Sequence, residues 1–143
     1  MRETIADILK KTSEIKDRKE KIEYLRKNDS RALRDILICV FNPNIKFLLP
    51  PTDPPYKAAE DYYGHEMIYS EIKKLYLFLE GGQPNLSQVR REVLFIQFLE
   101  AIHPHDAKLM LSIKNKKIPF PGITEKLVRE AFPGLLKEKE EVK

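Results

Sequence analysis

Apolar side chains recur at intervals of three and four residues along most of this sequence, and that spacing is the strongest constraint on its fold. Residues so spaced line one face of a helix, whereas a half-buried strand needs strict alternation. Leu33, Ile36, Leu37, Val40 and Phe41 show the helical spacing most plainly, at i, i+3, i+4, i+7 and i+8. A chain built of such stripes buries them helix against helix, which predicts an all-α domain.

Local start and stop signals divide the pattern into about seven short helices. Ile5, Ile8 and Leu9 mark a first small face. Ser13 or Asp17 suits the cap of a second, highly charged helix reaching about Lys27, with sparse apolar positions at Ile15, Ile22, Tyr24 and Leu25. Asp29 or Ser30 suits the cap of the third, because either side chain can accept from the free backbone N–H groups of a first turn. A fourth helix is expected from about His65 to Glu80, with Ile68, Ile72, Leu75, Tyr76 and Leu79 on one face and Gly81-Gly82 at its end. Ser87 caps a fifth, apolar nearly all round from Val93 to Ile102 and therefore expected to be central and buried. Pro104 suits the first turn of a sixth, ending near Lys114. Thr124 caps the seventh, whose face is Leu127, Val128, Ala131 and Phe132, and Pro133-Gly134 closes it.

Between the third and fourth helices, Asn42-Pro43-Asn44 stops the helical ladder. Ile45–Tyr63 carries Pro50, Pro51, Pro54 and Pro55 and is expected to be extended. Ile45, Phe47, Leu48, Leu49 and Tyr56 are too apolar for a free linker, so the segment reads as a packed crossover. Pro51-Thr52-Asp53-Pro54 has PxxP spacing but reads as part of that loop. The whole, at 143 residues, is expected to be a single compact helical domain over 1–136 with a charged tail at 137–143.

Composition excludes several functional classes. No apolar run reaches the ~20 residues of a membrane span. Met1-Arg2-Glu3-Thr4 leads directly into an amphipathic pattern, so no secretory signal is expected. The lone Cys39 cannot form an internal disulfide; it favours a reducing cytoplasm and reads as a buried, inert thiol. Phosphate-loop, dinucleotide, zinc-protease and nucleophile-elbow motifs are all missing, and Glu60-Asp61 and Glu138–Glu141 form no recognisable acid/base pair. No catalytic residue and no cofactor is therefore expected. His103-Pro104-His105-Asp106 invites a metal reading, but histidines at i and i+2 do not share a helix face. A helix-capping role is expected there, and no metal site.

A net charge of +4 permits an acidic partner. Lys114, Lys116 and Lys117 form a basic loop after the sixth helix, with Lys126 and Arg129 on the solvent side of the seventh. Pro121 to Thr124, including Gly122, puts unpaired backbone N–H groups at that helix start, an arrangement suited to phosphate. The plainer reading is a solvated lysine loop before an ordinary capped helix. Arg90 and Arg91, just after Gly81-Gly82, extend a basic surface if they face outward. The second helix and the start of the third interleave Lys16, Arg18, Lys19, Lys21, Arg26, Lys27, Arg31 and Arg34 with acids, which suits a salt-bridged solvent face.

From Leu75 to Leu136 the chain resembles the all-helical N-terminal DNA-binding domain of ATP-dependent DNA ligases, most closely the phage type. The shared features are Gly82 after a long apolar helix, the apolar helix Val93–Ile102, the helix Ala107–Lys114 with its basic loop, Ile123-Thr124 opening the last helix, and the closing Phe132-Pro133-Gly134-Leu135-Leu136. Thr4 to Phe41 is similar in its order of short helices. The chain also resembles small uncharacterised proteins encoded by large tailed phages, which would place it in the host cytoplasm. The ligase resemblance implies that Gly82, Lys114, Lys116, Lys117, Gly122 and Thr124 face the minor groove of double-stranded DNA and grip its backbone, positioning the protein without reading sequence. It does not imply sealing: the Lys-x-Asp-Gly motif that takes up AMP is missing. The loop before the last helix is also longer and richer in proline than the ligase turn. The expected function is that of a non-catalytic DNA-binding accessory protein, in phage replication, repair or recombination. The alternative is an adaptor that docks on a phage or host protein through Ile45–Tyr56 and the charged tail, without nucleic acid.

Overall fold

A computed structural model describes residues 3–60 and 64–136, so the tail 137–143 and the end of the crossover at 61–63 lie outside the described residues. The chain is all-α. Its helices are α1 (Ile5–Glu14), α2 (Arg18–Lys27), α3 (Arg31–Phe41), α4 (Met67–Glu71), α5 (Gln88–Ala101), α6 (Pro104–Ile113) and α7 (Glu125–Ala131), with a 3-10 segment, Ile72–Phe78, running on from α4. No described helix is long and apolar enough to cross a membrane.

Side-chain caps set most of the helix starts. Thr4, Asp17, Ser30, Ser87 and Thr124 each accept from the backbone N–H three residues on, which satisfies a donor that has no partner within its own helix. His103 caps α6, its Nδ1 accepting from the His105 N–H at 3.0 Å. Inside, Leu9, Leu33, Ile36 and Leu37 from α1 and α3 are fully buried. Phe78, Phe95 and Phe98 form a ring cluster with centroids 5.1 to 6.3 Å apart, joining the 3-10 segment to α5. Helix α7 packs on α2, where Arg26 donates to the Ala131 and Glu130 carbonyls at 2.8 and 2.9 Å and so caps the C-terminal end of α7.

Two expectations need correction. The single helix from His65 to Glu80 is a short α4 followed by 3-10 turns, and it buries Ile72, Leu75 and Phe78 while Tyr76 is 49% exposed. A 3-10 helix has three residues per turn, so residues spaced by three fall in one line. Helix α5 is not buried all round: Phe95, Phe98 and Leu99 face the core, but Val89 is 76% exposed and Val93 38%.

The crossover is packed, as its apolar residues required. Ile45, Phe47, Leu49 and Tyr56 lie against the core, and Phe47 forms an isolated antiparallel bridge with Leu79. Prolines supply carbonyl acceptors but no N–H donors, and the rest of the molecule supplies the donors. Gln88 Nε2 donates to the Leu48 carbonyl, Asn115 Nδ2 to that of Pro51, and the ammonium groups of Lys114 and Lys116 to those of Pro50, Pro51 and Ile45.

Candidate nucleic-acid interface

Three of the cations expected on the surface point inward. Lys114 is buried, and its Nζ donates to the Pro50 and Pro51 carbonyls, both at 2.9 Å. Lys116 Nζ donates to the carbonyls of Asn42 and Ile45, each at 2.8 Å, and to that of Cys39. Arg91, 5% exposed, spreads its guanidinium over the carbonyls of Leu77, Gln83 and Leu86 and the side chain of Gln88. Burial holds the Lys114 ammonium below the ordinary lysine pKa, partly opposed by Asp53. It does the same to Lys116, opposed by Cys39. Each of these cations fastens loop carbonyls, so replacing Lys114 or Lys116 would perturb the fold before any surface.

The remaining expected contacts divide. Arg90, Lys117 and Lys126 are exposed. Arg129 is tied to Glu125 at 3.0 Å and to the Leu136 carbonyl at 2.9 Å. Thr124 Oγ1 accepts from the Leu127 N–H at 3.2 Å, an ordinary cap on a helix of seven residues. Gly82 is required sterically, since a Cβ there would collide with the Tyr76 carbonyl oxygen. Gly122 has φ +90°, a left-handed conformation that glycine adopts readily.

Other lysines, not singled out as contacts from sequence, gather around the 117–126 loop. A Cβ placed on Gly122 would lie 2.8 Å from the Nζ of Lys21, which brings α2 to this turn. A groove of about 330 Å³ runs between α1, α6 and the loop, with Lys10, His105, Lys108, Pro119 and Phe120 on its walls. A second, of about 510 Å³, adjoins it through Lys108 and Ser112 and reaches Tyr56, Asn115 and Lys117. Lys10, Lys21 and Lys108 thus meet the loop between α6 and α7 from α1, α2 and α6, beside the loop's own Lys117. Asp7 and Asp53 line the same grooves, and His105 Nδ1 lies 3.1 Å from Asp7 Oδ1. Sequence reading missed Lys10 and Lys108 because they lie almost a hundred residues apart; only the packing of α1 against α6 unites them.

Cys39 is buried, and desolvation pushes its thiol up to about 12, so a thiolate does not form at neutral pH. His65, distant in sequence, lies tilted at 47° against His103 with centroids 4.2 Å apart, and His103 meets His105 edge-on at 4.6 Å. Even so, no group of three or more His, Cys, Asp or Glu among the described residues is placed to hold a metal ion. Asp106, the last residue of the His103–Asp106 capping segment, has a further role. It is fully buried, its Oδ1 accepts from the Ala6 N–H at 2.8 Å, and its Oδ2 has no hydrogen-bond partner among the described residues.

Comparison with known proteins gives a family and no activity. Residues 8–119 match the model of a family of unknown function, DUF6433, and the chain belongs to that family. No curated protein and no solved structure matches it.

Proposed function

We propose that this DUF6433 protein is a non-catalytic DNA-binding accessory protein that grips the backbone of a duplex. The observation that carries the reading is the gathering of Lys10, Lys21, Lys108 and Lys117 around the loop between α6 and α7. Ammonium groups spread over several elements match a phosphate backbone, which is a line of charge rather than a point. Contacts of this kind fix position without reading bases. The ligase-like order of elements in the C-terminal half supports the same reading. The phage resemblance would place its work in replication, repair or recombination within the host cytoplasm.

The test is duplex affinity as a function of salt. Wild-type binding is expected to weaken steeply, and Lys10, Lys108 and Lys117 changed singly to Gln should each lower the log–log slope by up to about 0.9. Lys114→Met should change stability and leave the slope intact. A wild-type protein that binds no duplex at low salt would sink the proposal.

One observation favours a second reading, an adaptor. Tyr76, Val89 and Val93 are exposed at 49, 76 and 38%, whereas the anchors of Ile45–Tyr56 face the core. An adaptor would therefore dock through α5. A partner that survives nuclease treatment and is lost in Val89→Lys would support it.

A further inference from the structure

We infer that the smaller groove, between α1, α6 and the Pro119–Phe120 loop, receives one unpaired nucleotide at the end of a DNA duplex. The inference rests on the duplex-binding reading and adds to it a preference among DNA structures. The groove has two chemical halves. Ala6, Leu109, Pro119 and Phe120 give it an apolar floor, while Lys10, Lys108, His105, Asp7 and Ser112 form a polar rim. Phe120 is half-buried against the core, which fixes its ring. Lys10 and Lys108 are exposed on two different helices and form no ion pair with a described residue.

A nucleotide has the same two halves, a flat base and an anionic phosphate. A base pair inside a duplex has both faces covered by its neighbours, and the end pair of a blunt duplex, though open on one face, is a plate two bases wide, so a single unpaired base suits the narrow floor of Phe120 and Pro119 better. The volume of about 330 Å³ is near the lower end of the roughly 300–1,000 Å³ range of small-ligand sites, which suits one nucleotide and not a paired strand. The rim carries one carboxylate, Asp7, whose Oδ1 lies 3.1 Å from His105 Nδ1, against two lysines that can meet the phosphate. Lys108 and Ser112 also line the larger groove, so the adjoining strand runs on toward Lys117. The protein would thereby tell a DNA end with an unpaired nucleotide from a fully paired one.

Fluorescence anisotropy with blunt duplexes and with duplexes carrying a single overhanging nucleotide, at either the 3′ or the 5′ end, tests this. The overhang should bind at least about fivefold tighter on one polarity, the scale of one base stacked on one aromatic ring. A 2-aminopurine at the overhang should lose fluorescence on binding. Phe120→Leu, which keeps the apolar packing but removes the ring, should abolish both the preference and the quenching and leave blunt-duplex affinity unchanged. Should circular dichroism show that this variant is unfolded, Phe120→Met, which fills the same space with a flexible side chain and no ring, takes its place with the same expectation. Equal affinity for blunt and overhanging duplexes, with no change in 2-aminopurine, overturns the inference and leaves the duplex reading standing. Quenching by free 2-aminopurine deoxynucleotide without any overhang preference also overturns it. Failure to bind any duplex removes the underlying reading itself.

Discussion

Lys116 combines a backbone cost with a side-chain gain. Its φ of 62° lies in the left-handed region, which costs a non-glycine residue on the order of 1 kcal/mol. The position is a helix C-terminus in which the Lys116 N–H bonds to the Ile113 carbonyl and the Lys117 N–H to that of Ser112, an arrangement that usually takes glycine. Lysine is accommodated because its Nζ gathers the carbonyls at the end of α3 and the start of the crossover. Lys116→Ala removes the gain and keeps the cost, whereas Lys116→Gly removes both. Urea denaturation should rank wild type above Gly and Gly above Ala, with Ala lower than wild type by about 2–4 kcal/mol. In sequence Lys114, Lys116 and Lys117 look alike, because sequence gives a charge but not its direction. Direction is decided by carbonyls more than sixty residues away. The legible hint was the crossover itself, whose four prolines between Pro50 and Pro55 supply acceptors without donors.

At the scale of elements, what was legible was local. Ser87 and Thr124 could be assigned as caps, and Ser30 named as one of two candidates, because the amide each one satisfies lies three residues away. The 3-10 segment was not, because Ile68, Ile72, Leu75, Tyr76 and Leu79 also satisfy an α-helical stripe. Phe78 broke the tie: with Ile72 and Leu75 it makes a run spaced by three, and all of these are buried. The turn that follows is held from α5 by Arg91, which donates to carbonyls at 77, 83 and 86. Arg91→Gln leaves most of these without a donor and should lower stability by about 2–4 kcal/mol. Its folded fraction should bind duplex like the wild type, a measurement that separates fastening from DNA contact.

Across the whole molecule, Asp106 links the start of α6 to the start of α1 by accepting from the Ala6 N–H. Burial pushes its carboxyl from the ordinary 3.8 up to about 7, against the pull of the Ala6 and Ile5 amides and with a further push from Asp7. A proton held in the folded state and released in the unfolded one makes folding less favourable as pH rises. The stability contributed by this group should therefore be greatest below about pH 4, fall toward pH 7 by at most about 1.4 kcal/mol per unit, and level off above it. Asp106→Asn keeps an oxygen for the Ala6 amide and should remove the slope in denaturation curves measured across that range. These long fastenings also set an order in time. The ribosome releases α3 and the crossover well before Lys114 and Lys116 exist, and α1 a hundred residues before Asp106. The nascent N-terminal half thus emerges with its carbonyls and first amides in water, and the domain closes only once α6 and the loop behind it have left the exit tunnel.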